Sequence, residues 1–167
     1  MTKKISTQDP KFSIRFAEPS DTPLILSFIK ALAEYENMLD LVVATPEGIK
    51  KSIFEENHAE VVIGEYNGKP AGFALFFHNY STFLGKSGLY LEDLFVYPEF
   101  RGKGFGKILL SFLAKLALKR GCGRLEWACL DWNAPSIGFY KSLGAQPMDE
   151  WTTYRLTGKA LDDLAKA

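Results

Sequence analysis

Residues 89–107 constrain the chain most: an apolar strand to Val96, a short turn with Pro98, a glycine-rich loop and a helix start. Gly102, Gly104 and Gly106 alternate along that loop. A residue without Cβ tolerates positive φ and lets the backbone approach a ligand closely. The first N–H groups of the following helix have no carbonyl partner of their own, and they carry the positive end of its dipole. Loop and helix start therefore form an anion site suited to pyrophosphate. Arg101, Lys103 and Lys107 add cationic donors around it, and Phe105 separates the last two glycines. The plainer alternative is a turn that joins two elements and binds nothing. Two other phosphate loops fit poorly. A dinucleotide fingerprint needs glycine where Lys107 stands, and a P-loop needs glycine at Arg101 and a hydroxyl residue at Ile108.

At 167 residues the chain is long enough for one full domain core. Hydrophobic residues make up 47%, too many for a disordered body. A formal net charge of zero argues against bulk nucleic acid or an anionic membrane as partner. Cys122 and Cys129 are too few for a disulfide framework or a four-ligand zinc site, and His58 and His78 have no metal-ligand spacing, so no metal is expected. Cys129 sits in an apolar run and reads as a buried small hydrophobe. With neither a signal-peptide core nor a spanning apolar stretch, the chain reads as cytoplasmic.

Residues 1–11 are polar and read as a flexible tail, and 12–167 as a single domain. A strand is expected over 13–17. A helix follows with Pro23 in its first turn and Leu24, Ile25, Phe28, Ile29, Leu32 and Tyr35 at helical spacing. Thr45-Pro46 reads as an N-cap and first helical residue. Residues 61–66, Asn67-Gly68 and residues 70–77 form a hairpin signal. The central strand over 89–96 precedes a helix over 107–120 that Gly121 stops, and a strand over 124–130 follows. A helix begins near Pro135 and ends at Gly144. A late strand over 151–156 and a terminal helix over 159–166 complete the chain. The order predicts an α/β fold: a mixed sheet of about six or seven strands with helices on both faces.

Arg-Gly-x-Gly-x-Gly after Leu-Phe-Val-x-Pro-x-Phe resembles the pyrophosphate signature of the GNAT superfamily of N-acetyltransferases. The stretch Asp131-Trp132-Asn133-Ala134-Pro135-Ser136, ending in Phe139-Tyr140-Lys141, is similar to that of the spermidine/spermine (diamine) acetyltransferase subfamily. Tyr35-Glu36, Leu91-Glu92-Asp93 and Tyr154-Arg155 resemble it too, over nearly the whole chain from Phe12. The resemblance implies a mostly antiparallel sheet with a splayed central strand pair, acetyl-CoA as co-substrate and a homodimer. It also implies that Leu94, Phe95 and Val96 meet the pantetheine, with the strand after the helix splaying away. Asn133 and Ser136 match positions that meet the cofactor from the other side. The family's basic pair after Phe-Tyr-Lys is replaced by Ser142-Leu143.

Acetyl transfer to an amine needs a neutral nucleophile, a stabilised oxyanion and a protonated leaving thiolate. An alkylammonium with a pKa of about 10.4 is mostly unreactive at neutral pH, so a base is required. By the resemblance Glu92 is that base and Tyr140 the acid that protonates the coenzyme A sulfur. Glu92 also reads as a solvated strand end, and Tyr140 as a packed structural tyrosine. Glu36, Glu92 and Asp131 are the carboxylates for a cationic acceptor, with Tyr35, Trp132 and Tyr154 beside its aliphatic or ammonium part. A polyamine, a shorter diamine or a lysine-like amino acid such as thialysine fits that set. Trp151-Thr152-Thr153 stand where the subfamily carries acids, which favours the shorter acceptors. Two alternatives stay open: acetylation of a protein or peptide amine, and a non-catalytic acyl-CoA-binding module.

Overall fold

The computed structural model describes residues 2–167. By internal packing it comprises two compact units, one up to Ala128 and one over Cys129–Ala167.

The first unit is built on six strands: β1 (Ile5–Ser6), β2 (Phe12–Phe16), β3 (Glu60–Tyr66), β4 (Lys69–Ser81), β5 (Lys86–Val96) and β6 (Leu125–Trp127), lying in sequence order. Each neighbouring pair is antiparallel except β5–β6, which is parallel. A parallel neighbour requires a crossover, and α3 (Phe105–Lys119) supplies it. The β3–β4 turn has φ of 49° at Asn67 and 77° at Gly68, the left-handed pair that a two-residue hairpin demands.

Alternation along the strands assigns the faces. Val61, Ile63, Phe73 and Phe95 share one core with Ile25 and Phe28 of α1 (Thr22–Tyr35), Ile49 of α2 (Pro46–Ile49) and Ile53. Phe28 stacks on Phe73 and on Tyr97, each at 4.9 Å between centroids. On the opposite face Phe12 stacks on Phe105 of α3 at 4.1 Å, and Phe16 meets Phe112 edge-on at 6.1 Å. Gly64 makes room for this, because a Cβ there would come within 2.4 Å of the Phe12 ring. Emptying such a site, as in Phe28→Ala, typically costs ~3–5 kcal/mol. Helices thus cover both faces of a mixed sheet, as the order of elements predicts, and the sheet is mostly antiparallel, as the resemblance implies.

The ends of the helices follow local chemistry. Thr45 caps α2 by accepting from the Gly48 N–H, and the chain then runs through a π-turn over Lys50–Glu55. The helix α3 closes at Gly121 (φ 72°), with Cys122 N–H donating to Ala117 O at 2.9 Å and Gly121 N–H to Leu118 O at 3.1 Å. That is the paired C-terminal bond pattern glycine favours. Asn37 (φ 58°) closes α1 in the same way, with Met38 N–H to Ala33 O at 2.7 Å.

Residues 2–11, expected as a tail, carry β1, whose Ile5 and Ser6 pair with Ile14 and Ser13. Lys4 Nζ lies 2.6 Å from Glu65 Oε2. Met1 lies outside the described residues. Glu65, only 6% exposed, also accepts from Arg15 Nε at 2.8 Å, and Arg15 Nη1 donates to Asp21 Oδ2 at 2.7 Å. The Arg15 bond holds the Asp21 carboxyl below its usual range. Burial pushes Glu65 upward, but Arg15 and Lys4 outweigh it and the net shift is downward.

The second unit carries α4 (Ala134–Ser142) and α5 (Gly158–Ala165). Asn133 caps α4 by accepting from Ser136 N–H at 3.4 Å, and Gly144 (φ 86°) closes it, with Ala145 N–H to Tyr140 O at 3.2 Å. Residues 151–156 are not a strand, in contrast to the expectation. Side-chain propensity alone makes no strand; a ladder partner does. Cys129 is half-buried, not buried as expected, and its thiol lies 3.6 Å from Leu130 O.

Candidate active site

The β5–β6 ladder has three rungs, Leu89–Leu125, Tyr90–Glu126 and Leu91–Trp127. The expected strand over 124–130 is shortened to Leu125–Trp127, and β5 continues to Val96 without it. The pair is therefore splayed, and the far half of β5 presents an open edge.

On its other edge β5 pairs with β4, and the rungs give the direction of each peptide group. Tyr97 N–H donates to Ala71 O at 2.9 Å, and the rungs that follow are Gly72–Val96, Phe73–Phe95 and Ala74–Leu94. Antiparallel rungs alternate between bonded and non-bonded pairs. Phe95 therefore spends its N–H and C=O on β4, while those of Leu94 and Val96 point to the open edge. The Phe95 ring belongs to the core.

Between Leu75–Asp93 and Phe76–Leu91 the register slips, so Glu92 is the extra residue of a β-bulge. A bulge bends its strand and re-aims the side chains around it. Glu92 is exposed, while Asp93 is half-buried. Burial, then Glu92, then Glu36 push the Asp93 carboxyl up to about 6. Glu36, at the end of α1, is itself raised by burial. The phenol of Tyr90 is raised by burial and by the nearby carboxylates of Glu92 and Glu126. Asp93 thus lies close enough to both Glu92 and Glu36 to be repelled by each, a charge arrangement that a cation would relieve.

The loop leaves β5 through a turn over Pro98–Phe100. Gly102 has φ 75° and Gly104 φ 79°, and Gly104 is the N-cap of α3. A Cβ built on Gly102, Gly104 or Gly106 would meet nothing within 4 Å, so open space faces the loop and the first turn. Lys107 is exposed on that turn, and Lys103 Nζ lies 5.8 Å from the centre of the Tyr66 ring. Arg101 folds back: its Nε donates to Val96 O at 2.9 Å, and its guanidinium lies 5.0 Å from the Tyr35 ring centre and 5.3 Å from that of Phe95.

The first unit thus brings together Tyr35 with Arg101, Phe95 and Val96, and it sets Glu36 and Glu92 each near Asp93. Asp93 was missed by sequence reasoning. Strict alternation turns adjacent carboxylates to opposite faces, and no residue type announces the bulge that alters it. In the second unit Asn133 and Ser136 form the cap of α4. Tyr140 lies near its end with its ring 5.6 Å from that of Phe139. Asp131 and Trp132 precede the cap and are exposed, and Tyr154 is 92% exposed.

A strand edge left open beside an anion-binding helix start is a place for an extended acyl carrier with a phosphate end. The acetyltransferase (GNAT) family model matches residues 28–145. The chain belongs to the GNAT family. It is 38% identical to the thialysine N-epsilon-acetyltransferase of Bos taurus over 164 residues, covering 91% of this chain and 96% of that protein. It is 35% identical to the L-ornithine N5-acetyltransferase NATA1 of Arabidopsis thaliana over 199 residues, covering 92% and 87%. Among solved structures, an integron cassette protein from the mobile metagenome of V. cholerae matches with TM-score 0.78 and 29% identity, over 94% of this chain and 99% of that one. The chain is an acetyltransferase that acts on amines, and acetyl-CoA is the donor its family uses. Among the described residues no helix is long and apolar enough to cross a membrane.

Proposed function

We propose that the enzyme moves the acetyl group of acetyl-CoA directly to the side-chain amine of a small cationic acceptor, a lysine-like or ornithine-like amino acid ahead of a polyamine. The observation that carries this reading is the open half of β5 leading into the glycine loop. The edge groups of Leu94 and the N–H of Val96 face away from β4 and would pair with the amides of pantetheine in the manner of an added strand, while the Val96 carbonyl already accepts from Arg101. The N–H groups at Gly104, Phe105 and Gly106, with Lys103 and Lys107, would hold the pyrophosphate.

Glu92 takes the proton of the bound ammonium, aided by Asp93, whose carboxyl is raised by burial and by its acidic neighbours. The neutral amine attacks the thioester carbon, a β5 N–H stabilises the oxyanion, and the C–S bond breaks as Tyr140 gives its proton to the sulfur; the acetylated nitrogen then sheds its extra proton, which restores the Tyr140 phenol. Tyr35 and Glu36 are assigned to the acceptor, and the resemblance to the diamine acetyltransferases adds Asp131, Trp132 and Tyr154 to the acceptor set and Asn133 and Ser136 to the cofactor set. Two relatives named for ornithine and thialysine favour an amino acid with a terminal amine, and the uncharged Trp151-Thr152-Thr153 agrees.

The same reading includes a homodimer working in the cytoplasm as one catalytic domain that takes in β1, with no metal. A thiol-release assay over thialysine, ornithine, spermidine, putrescine and a lysine peptide tests the acceptor class. Turnover confined to the peptide would reverse the assignment, as would CoA binding without turnover of any amine. Light scattering at micromolar concentration tests the dimer.

A further inference from the structure

We infer that Arg101 is a positioning residue that couples the two substrate sites, so that acetyl-CoA on β5 sets Tyr35 and the end of α1 for the acceptor. The inference rests on the proposed function. Arg101 begins the glycine loop, and its side chain turns away from the loop toward β5 and α1. The backbone is held by the preceding turn, with Phe100 N–H to Tyr97 O at 2.9 Å and Arg101 N–H to Pro98 O at 3.2 Å. From there Nε donates at 2.9 Å to Val96 O, which the rung alternation places on the open edge. The guanidinium is held between the rings of Phe95, at 5.3 Å, and Tyr35, at 5.0 Å. Phe95 is fixed in the core, whereas Tyr35 is 41% exposed on the last turn of α1, directly before Glu36.

One side chain therefore touches the carbonyl that pantetheine would approach and the ring that begins the acceptor region. Its backbone continues into the loop that would close on pyrophosphate. A ligand that seats the loop or shares the Val96 carbonyl changes how Arg101 bears on Tyr35. By linkage an acceptor that orders Tyr35 must favour the cofactor equally. Coupled sites commonly show 5- to 150-fold effects; a single cation–π contact sets the expectation here at the low end, about three- to tenfold.

The test is calorimetry on the full chain with CoA, which cannot react, and thialysine, or whichever amine ranks first in the panel assay. The quantity read is the ratio of amine Kd without CoA to that with saturating CoA. In the native protein the ratio should be about three or more. Arg101→Ala and Tyr35→Ala should each bring it to about one, and Tyr35→Phe, which keeps the ring, should retain it. A ratio is insensitive to any direct loss of CoA affinity. If Arg101→Ala abolishes CoA binding, Tyr35→Ala carries the test. A native ratio of one, or a native-like ratio in Tyr35→Ala, overturns the coupling. A native enzyme that turns over with a ratio of one removes only this inference, whereas failure to bind CoA removes the proposed function.

Discussion

Leu91 faces Trp127 in the last rung between β5 and β6, and β5 then runs on through Glu92 to Val96 with that edge open. The bulge at Glu92 sits directly after this rung. The place where the sheet parts is thus also where Glu92 and Asp93 lie, so the edge without a ladder partner and these two acids share one strand.

Gly106 offers a clean separation of fold from ligand. It lies inside α3 with open space where a side chain would go. Gly106→Gln should leave thermal stability unchanged or raise it, since glycine costs a helix ~1 kcal/mol relative to good helix formers. Acetyl-CoA affinity should fall about tenfold or more, because bulk replaces the approach of the pyrophosphate. Calorimetry together with a melting curve reads both.

On the proposed mechanism, Tyr140→Phe keeps the ring beside Phe139 and removes the proton donor. Loss of a general acid costs on the order of 100- to 10,000-fold in rate, so thiol release under single-turnover conditions should drop by that range. Acetyl-CoA affinity should stay near normal. Near-normal turnover would return Tyr140 to a structural role.

Asp93 binds protons more tightly in the folded chain, near pH 6, than in an unfolded one, near 3.8. Between those values the folded state holds more protons, so this group's contribution to stability falls as pH rises from about 4 to about 6. Asp93→Asn should therefore stabilise the protein at pH 7, by about 2–3 kcal/mol at most, and flatten that slope. Denaturant midpoints at pH 4 and pH 7 check it. Binding of the cationic amine should release protons near pH 6, and calorimetry in buffers of different ionisation heat would detect them.

Arg15 carries the opposite dependence. Asp21 and Glu65 are both held below their usual values, so their contribution is present above about pH 4 and is lost as pH falls below it. Arg15→Ala leaves buried Glu65 and half-buried Asp21 short of a partner, and breaking such a network typically costs up to ~3–5 kcal/mol. The variant should lose less stability on acidification than the native protein does, measured by urea unfolding at pH 3 and pH 7.

The sequence disclosed what local chemistry decides. Asn67-Gly68 dictated a hairpin turn, Thr45-Pro46 a helix start, and Gly121 and Gly144 helix ends, because each choice is made within a few residues. Asn37 ends α1 with the same bond pattern as Gly121, yet asparagine occurs in too many settings to announce it. The late strand over 151–156 and the length of β6 depended on ladder partners distant in the chain. The raised Asp93 carboxyl depended on two segments meeting, the end of α1 and the bulge, and on the burial around them. The loop glycines were legible because they serve backbone geometry, whereas the fold-back of Arg101 was not, since a surface arginine has many equally good rotamers.

The anchoring of Lys4 on Glu65 has a practical consequence. A shortened variant that starts at Phe12, where the sequence suggests the domain begins, would strip β1 from β2 and leave the nearly buried Glu65 with Arg15 alone. Its exposed β2 edge would then be available to a neighbouring molecule. Such a variant should melt earlier and scatter more light in solution than the full chain, and loss of activity on trimming the N-terminus would report on folding, not on chemistry.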